Sequence, residues 1–249
     1  MTPEQRARYA RQIRLQDIGE SGQQALLDAR ALLVGLGGLG SPAAMYLAAS
    51  GIGHLVLSDF DRVEASNLQR QIAHHESDIG ELKATSAKKT LQAINPACSV
   101  RTLDWELDDD ELDAEVRAAD VVLDCTDNFA SRFQLNRVAM RNATPLVTGA
   151  AIRQEGQVLT SLPGGRPCYQ CIYPEALEHQ ETCAMEGVVA PLVGVIGSLQ
   201  ALQAIQILTG KTAALHGTLL LFDGANMQWQ RIQVPARPDC PVCGHADEN

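Results

Sequence analysis

The 249-residue chain lacks a surplus of basic charge, with 20 Lys and Arg against 30 Asp and Glu and a formal net charge of −10. That balance argues against nucleic acid or an anionic membrane as the main partner, because both attract proteins through their phosphates. The N-terminus, MTPEQRARYARQIRL, lacks the apolar core of a signal peptide. The seven cysteines are therefore expected to stay reduced in the cytoplasm, and their C-x-x-C pairs to hold metal rather than form disulfides. No repeat or low-complexity linker interrupts the sequence. From Gly187 to Gly210 charge is missing altogether, but Pro191 and Ser198 lie inside the run, and Gln200, Gln203 and Gln206 recur at helical spacing beside Leu199, Leu202, Ile205 and Leu208. This pattern reads as a buried helix of a soluble protein rather than a membrane span. With 45% hydrophobic residues the chain can bury a large core.

What is present is organised around Ala31 to Pro42, ALLVGLGGLGSP. Ala31 to Val34 read as a buried strand, and Gly35 to Gly40 match G-x-G-x-x-G. Ser41 reads as a helix cap and Pro42 as a first-turn residue, with the helix running from Ala43 to Ser50 and stopping at Gly51. Glycines let the turn fold tightly and let a phosphate approach N–H groups at the positive end of the helix. The next strand, His54 to Ser58, leads to Asp59, about twenty residues past Gly40, where an acid can hydrogen-bond a ribose hydroxyl. These features point to a nucleotide and leave NAD, FAD and ATP open.

Around this unit, Glu4 to Leu15 reads as a short amphipathic helix with Arg6, Arg8, Arg11 and Arg14 on a solvated basic face. Ser66 or Asn67 is suited to cap a short helix, Asp78 to Asn95 reads as a helix stopped by Pro96, and Ser99 to Leu103 as a strand. Asp108 to Ala119 and Phe129 to Asn142 read as helices; Val121 to Leu123, Pro145 to Ala150 and Gly156 to Leu162 as strands. The alternation to about residue 150 predicts an α/β doubly wound, Rossmann-like sheet, parallel in its N-terminal half and more antiparallel beyond. Asp127 and Asn128, just past the strand at Val121, are then expected to open towards the same crevice as Gly37 and Asp59. Cys168 and Cys171 with Cys240 and Cys243 offer four thiolates to a structural zinc, with redox chemistry as the rival reading. Cys98 and Cys125 have apolar neighbours and read as core, Cys183 as a loop thiol, and His74 and His75 as surface residues.

With GLGGLG, SDFD, SNLQRQ, DCTDN, GAAIR, CYQC, GVVAPLVGVIGSLQALQAI and CPVC in this order, nearly the whole chain resembles the MoeB/ThiF adenylyltransferases, bacterial relatives of the ubiquitin-activating enzymes. The resemblance implies ATP rather than NAD. It also implies activation of the C-terminal Gly-Gly of a ubiquitin-like sulfur carrier as an acyl-adenylate, for molybdopterin or thiamine synthesis. It puts Gly38 at the phosphates, Asp59 at the ribose, and Asn67, Arg70 and Lys83 at the triphosphate, within a nucleotide-binding set that includes Ser66, Leu68, Gln69 and Asn128. Asp127 would hold Mg²⁺. Arg11 matches an arginine that family homodimers supply to the partner protomer's ATP site, and Cys183 a cysteine that can bond covalently to the activated carrier. Residues 1–249 would form one adenylyltransferase domain, with a nucleotide-binding half to 150 and a carrier-binding, zinc-bearing half from 151. A short end after CPVC implies a separate sulfur donor protein. Two other readings remain: an NAD-dependent oxidoreductase, which leaves Arg70, Lys83, Asp127 and the cysteine pairs without a role, and a non-catalytic zinc-bearing scaffold that binds a carrier.

Overall fold

Alternate residues of the central strands face opposite layers, which is why these apolar runs become strands covered on both sides. In the computed structural model, which describes residues 1–164, 167–173, 186–211 and 214–244, β1 spans Arg30–Val34 and β2 His54–Ser58. β3 is Ser99–Leu103, β4 Val121–Asp124, β5 Leu146–Ile152, β6 Glu155–Ser161, β7 Thr218–Asp223 and β8 Gln228–Gln233. They form one sheet in the order β3-β2-β1-β4-β5-β6-β7-β8. Pairing is parallel from β3 across to β5 and antiparallel from β5 to β8. The predicted change from parallel to antiparallel therefore occurs within one continuous sheet.

Leu33, Leu55, Leu57 and Leu123 point into a core covered by α4 (Gly40–Ser50), α5 (Lys83–Ile94) and the long helix Ala190–Leu208. Leu32, Val56, Val122 and Leu146 point the other way, against α6 (Asp109–Arg117) and α7 (Phe129–Arg141). The long helix has the length and apolarity of a membrane span. It is nonetheless fixed in the core: Gln200, fully buried, donates from Nε2 to the carbonyls of Asp124 and Val147 at 2.7 and 3.1 Å.

The N-terminal basic segment forms two short helices, α1 (Pro3–Arg8) and α2 (Ala10–Ile13), separated by Tyr9. Tyr9 is buried, and its hydroxyl accepts from Asn95 Nδ2 at 2.9 Å. The segment is thus docked against the C-terminal end of α4, where Gln12 also donates to the carbonyl of Ser50 at 3.0 Å. Gly51 ends α4 in the left-handed region, φ 91°, as the sequence predicts.

Three local expectations are corrected. Ser41 does not cap α4: the helix begins at Gly40 because the glycine turn winds directly into it, with Ser41 N–H donating to Gly37 O at 3.0 Å and Ser41 Oγ to Leu36 O at 3.3 Å. α5 begins at Lys83 rather than Asp78, since Gly80 sits at φ 90° and Leu82 is extended. His74 is not a surface residue but is 5% exposed.

Close packing at the glycine turn generates a stability prediction. A Cβ on Gly40 would lie 1.9 Å from the carbonyl oxygen of Gly35, whereas one on Gly194 would meet nothing within 4 Å. Gly40→Ala should destabilise the fold by at least about 2–3 kcal/mol, because rigid backbone must move. Gly194→Ala should be neutral or slightly stabilising, because alanine favours helix. Thermal unfolding of the two variants checks the contrast, and equal melting temperatures would contradict it.

Candidate nucleotide and metal sites

The order of strands reverses between β1 and β4, so the loops leaving their carboxyl ends diverge and leave a crevice between them. The crevice has a volume of about 1460 Å³. Gly38, Asp59, Arg70, Lys83, Asp127 and Asn128 all line it, so six expected site residues from five separate segments converge there. Ser66, Asn67, Leu68 and Gln69 lie in and just after the 3₁₀ turn Ala65–Asn67 and are not among the lining residues. That turn positions Arg70, which donates to the carbonyl of Ser66 at 3.2 Å. Arg11 lies outside the crevice, exposed on α2. Cys183 falls outside the described residues.

Asp59 braces the glycine turn. Its Oδ2 accepts from Leu36 N–H at 2.6 Å and its Oδ1 from Asp61 N–H at 2.9 Å. Burial pushes its carboxyl above the ordinary carboxylate value, against the pull of the Lys83 charge and of those two N–H groups. Lys83, almost buried at the start of α5, holds its ammonium 2.7 Å from the more exposed Asp61 carboxylate. An incoming phosphate would meet both this cation and the N–H groups of the turn. Asp127 is exposed in the bend between β4 and α7, a hard oxygen donor suited to a hard cation. Asn128 caps α7, its side-chain oxygen accepting from Ser131 N–H at 2.9 Å.

Three further polar residues of this crevice or its floor were not among the expected site residues. Gln71 is buried beside the glycine turn, and its Oε1 has no hydrogen-bond partner among the described residues. Arg132, buried one turn into α7, donates from Nη2 to the carbonyl of Thr126 at 2.7 Å. Asp124, fully buried at the end of β4, accepts from Thr126 Oγ1 at 2.7 Å. Burial raises its carboxyl pKa, while the Arg132 charge acts in the opposite direction. Helical spacing from the Asn128 cap was the available signal for Arg132; Gln71 stood in SNLQRQ next to the residues already chosen.

Farther along α7, Asn136 reaches the cysteine cluster. Its Nδ2 lies 3.5 Å from Cys168 Sγ and its Oδ1 accepts from Tyr169 N–H at 3.1 Å. The Sγ atoms of Cys168, Cys171, Cys240 and Cys243 all lie within 4.8 Å of one another. Cys168 to Cys240 is 3.7 Å and Cys171 to Cys243 is 3.5 Å. Tetrahedral zinc with ordinary Zn–S bonds separates its sulfurs by about 3.8 Å, so the four thiols fit that metal. Cys98 and Cys125 are buried, as expected.

Comparison with known proteins agrees with this geometry. The ThiF family model matches residues 9–242. The chain is 45% identical to the molybdopterin-synthase adenylyltransferase of Escherichia coli K12, covering 98% of each sequence. It is 46% identical to the sulfur carrier protein ThiS adenylyltransferase of the same organism, covering 95% of this chain and 94% of the relative. Among solved structures, Escherichia coli MccB with MccA-N7isoASN superposes with a TM-score of 0.84 at 25% identity, covering 95% of this chain and 75% of that one.

The cysteine geometry makes its own prediction. Purified protein should contain one zinc per chain, and the double variant Cys240→Ser, Cys243→Ser should lose it, because two ligands cannot retain a closed four-thiolate site. Elemental analysis decides, and undiminished zinc in the double variant would contradict the assignment.

Proposed function

The chain belongs to the ThiF family, and from that premise we propose that it uses ATP to adenylylate the C-terminal Gly-Gly carboxylate of a ubiquitin-like sulfur carrier, releasing pyrophosphate. The product would serve molybdopterin or thiamine synthesis in the cytoplasm. The observation that carries the reading is the convergence of the glycine turn, Asp59, Lys83 and Asp127 on one crevice at the reversal of strand order. An NAD-dependent oxidoreductase accounts for the first two and not the others, and the named activities of the relatives count against a scaffold without catalysis.

In this reaction a carboxylate oxygen of the carrier bonds to the α-phosphorus while the bond from that phosphorus to the bridging oxygen breaks. Pyrophosphate leaves with the electron pair. No side-chain nucleophile is needed; the barrier is the approach of one anion to another. Backbone N–H groups near Gly38 would hold phosphate oxygens, and Arg70 and Lys83 would add positive charge around the triphosphate. Asp127 would hold Mg²⁺, whose charge screens the phosphates and favours departure of pyrophosphate. The crevice continues from the nucleotide residues to Gln157 and Gln230 on the antiparallel strands, where the carrier's glycine tail would lie. Adenylation requires no thiol, so a role for Cys183 belongs to a later covalent stage, when a thiolate would meet the activated carbonyl.

Asp127→Asn should lower carrier-dependent exchange of labelled pyrophosphate into ATP by about a hundredfold or more. Its melting temperature should stay unchanged, because Asp127 is exposed and does not support the core. Normal Mg²⁺-dependent exchange in the variant would rule out this role.

We also propose a homodimer in which Arg11 of the partner subunit completes each phosphate site, which is consistent with the exposed position of Arg11 outside its own crevice. Mixing Arg11→Ala protein with Asp127→Asn protein should restore activity absent from either alone, since each mixed dimer holds one site with both residues intact. No recovery after demonstrated subunit exchange would exclude supply across the interface.

A further inference from the structure

Nothing in the adenylation chemistry calls for a histidine, yet His74 is enclosed directly behind the glycine turn. Its Nε2 lies 3.0 Å from the carbonyl oxygen of Leu36, the second residue of that turn. Its Nδ1 lies 2.9 Å from Ser86 Oγ, which is in turn 2.8 Å from Asp78 Oδ2. His74, Ser86 and Asp78 are each less than a tenth exposed. Asp78 is itself fixed, its Oδ2 also accepting from His75 N–H at 2.9 Å.

The chemistry of these contacts sets the direction of the chain. A carbonyl oxygen only accepts, so the imidazole carries its proton on Nε2 and donates to Leu36. Burial holds the imidazole below its ordinary pKa, with Lys83 and His75 acting in the same direction, against the Leu36 carbonyl and Asp78. The ring is then neutral near pH 7, and Nδ1 faces Ser86 Oγ, whose single hydroxyl proton is shared between Nδ1 and the ionised Asp78 carboxylate. Leu36 is thereby gripped at both ends of its peptide groups: Asp59 takes its N–H and His74 takes its carbonyl.

Ser86 lies on α5 one helical turn from Lys83. His74 therefore joins the two elements that carry opposite parts of the phosphate site, the glycine turn with its N–H groups and the helix that begins with the Lys83 cation. We propose that His74, aligned by Ser86 and Asp78, is a positioning residue that fixes the Leu36 peptide so that the neighbouring turn N–H groups and Lys83 share one phosphate-binding geometry. The imidazole touches no reacting atom and acts through the backbone it holds. This inference rests on the reading of the crevice as a nucleotide site.

The test uses full-length His74→Phe, His74→Gln and Ser86→Ala proteins, with Mg-ATP binding measured by titration calorimetry without carrier, followed by pyrophosphate exchange. Phenylalanine fills the space but cannot donate, so His74→Phe should weaken ATP binding about tenfold, the scale of one buried hydrogen bond. Glutamine retains an N–H donor and should recover most of that affinity. Ser86→Ala, which keeps the ring and removes its anchor, should fall between wild type and His74→Phe, and it carries the test if the latter does not fold. In exchange assays the KM for ATP should rise, while kcat at saturating ATP and the KM for carrier change little. Wild-type ATP affinity in both His74→Phe and Ser86→Ala would overturn the proposal, as would a glutamine variant no better than the phenylalanine one. A wild-type protein that binds ATP but exchanges no pyrophosphate contradicts the adenylyltransferase reading alone, and the affinity comparison still decides the role of His74.

Discussion

The carbonyl oxygen of Gly35 and the Cα of Gly40 are so close that a side chain at position 40 would require the backbone to move, and much of the structure follows from this contact. It brings the end of β1 directly into α4, so the turn residues Gly37, Gly38 and Leu39 that lead into the helix line the crevice. The turn has little side-chain bulk of its own and must be stiffened from outside. Asp59 holds it from the end of β2, and His74 holds it from the segment before α5. The long helix Ala190–Leu208 packs behind it, with Val193 against Gly38 and Gly197 against the Leu39 backbone. A phosphate site built from backbone N–H groups is only as well defined as the packing around that backbone, which explains why buried polar residues gather there.

α7 connects this region to the cysteine cluster. Asn128 caps it at the crevice, Arg132 holds the Thr126 carbonyl one turn later, and Asn136 meets Cys168 after one more turn. A metal on the four cysteines would tie the turn at Tyr169–Ile172, just after β6, to the C-terminal segment, over more than seventy residues of sequence. Because such a site forms only in the folded chain, metal binding there would add directly to folding stability, at the far end of a helix that borders the crevice.

Much of this arrangement was legible because strand period and glycine spacing are local signals. His54–Ser58 falls on a continuous apolar run and Ser99–Leu103 on an alternating one, and Gly51 closes α4 in the left-handed region. The site residues Asp59, Lys83 and Asp127 were legible through the order of motifs, and the topology brings them together. The misreadings share a physical cause: a contact from distant sequence determines the local outcome. Ser41 looks like a cap until Leu36 supplies a different acceptor. His74 looks solvated between polar neighbours until the turn and α5 enclose it. Arg132 and Asp124 are buried only after β4 and α7 have packed, and burial of a charged residue has no local signature in the sequence.

The proposed reaction joins ATP to the end of a carrier in this crevice, unlike other nucleotide chemistries. Exchange of labelled pyrophosphate into ATP measures that step directly, because only a reversible adenylate returns the label. Exchange should require both Mg²⁺ and a ubiquitin-like carrier ending in Gly-Gly, and should disappear when the terminal glycine of the carrier is removed. Exchange indifferent to the carrier's terminus, or none with any Gly-Gly carrier of the source organism, would contradict it.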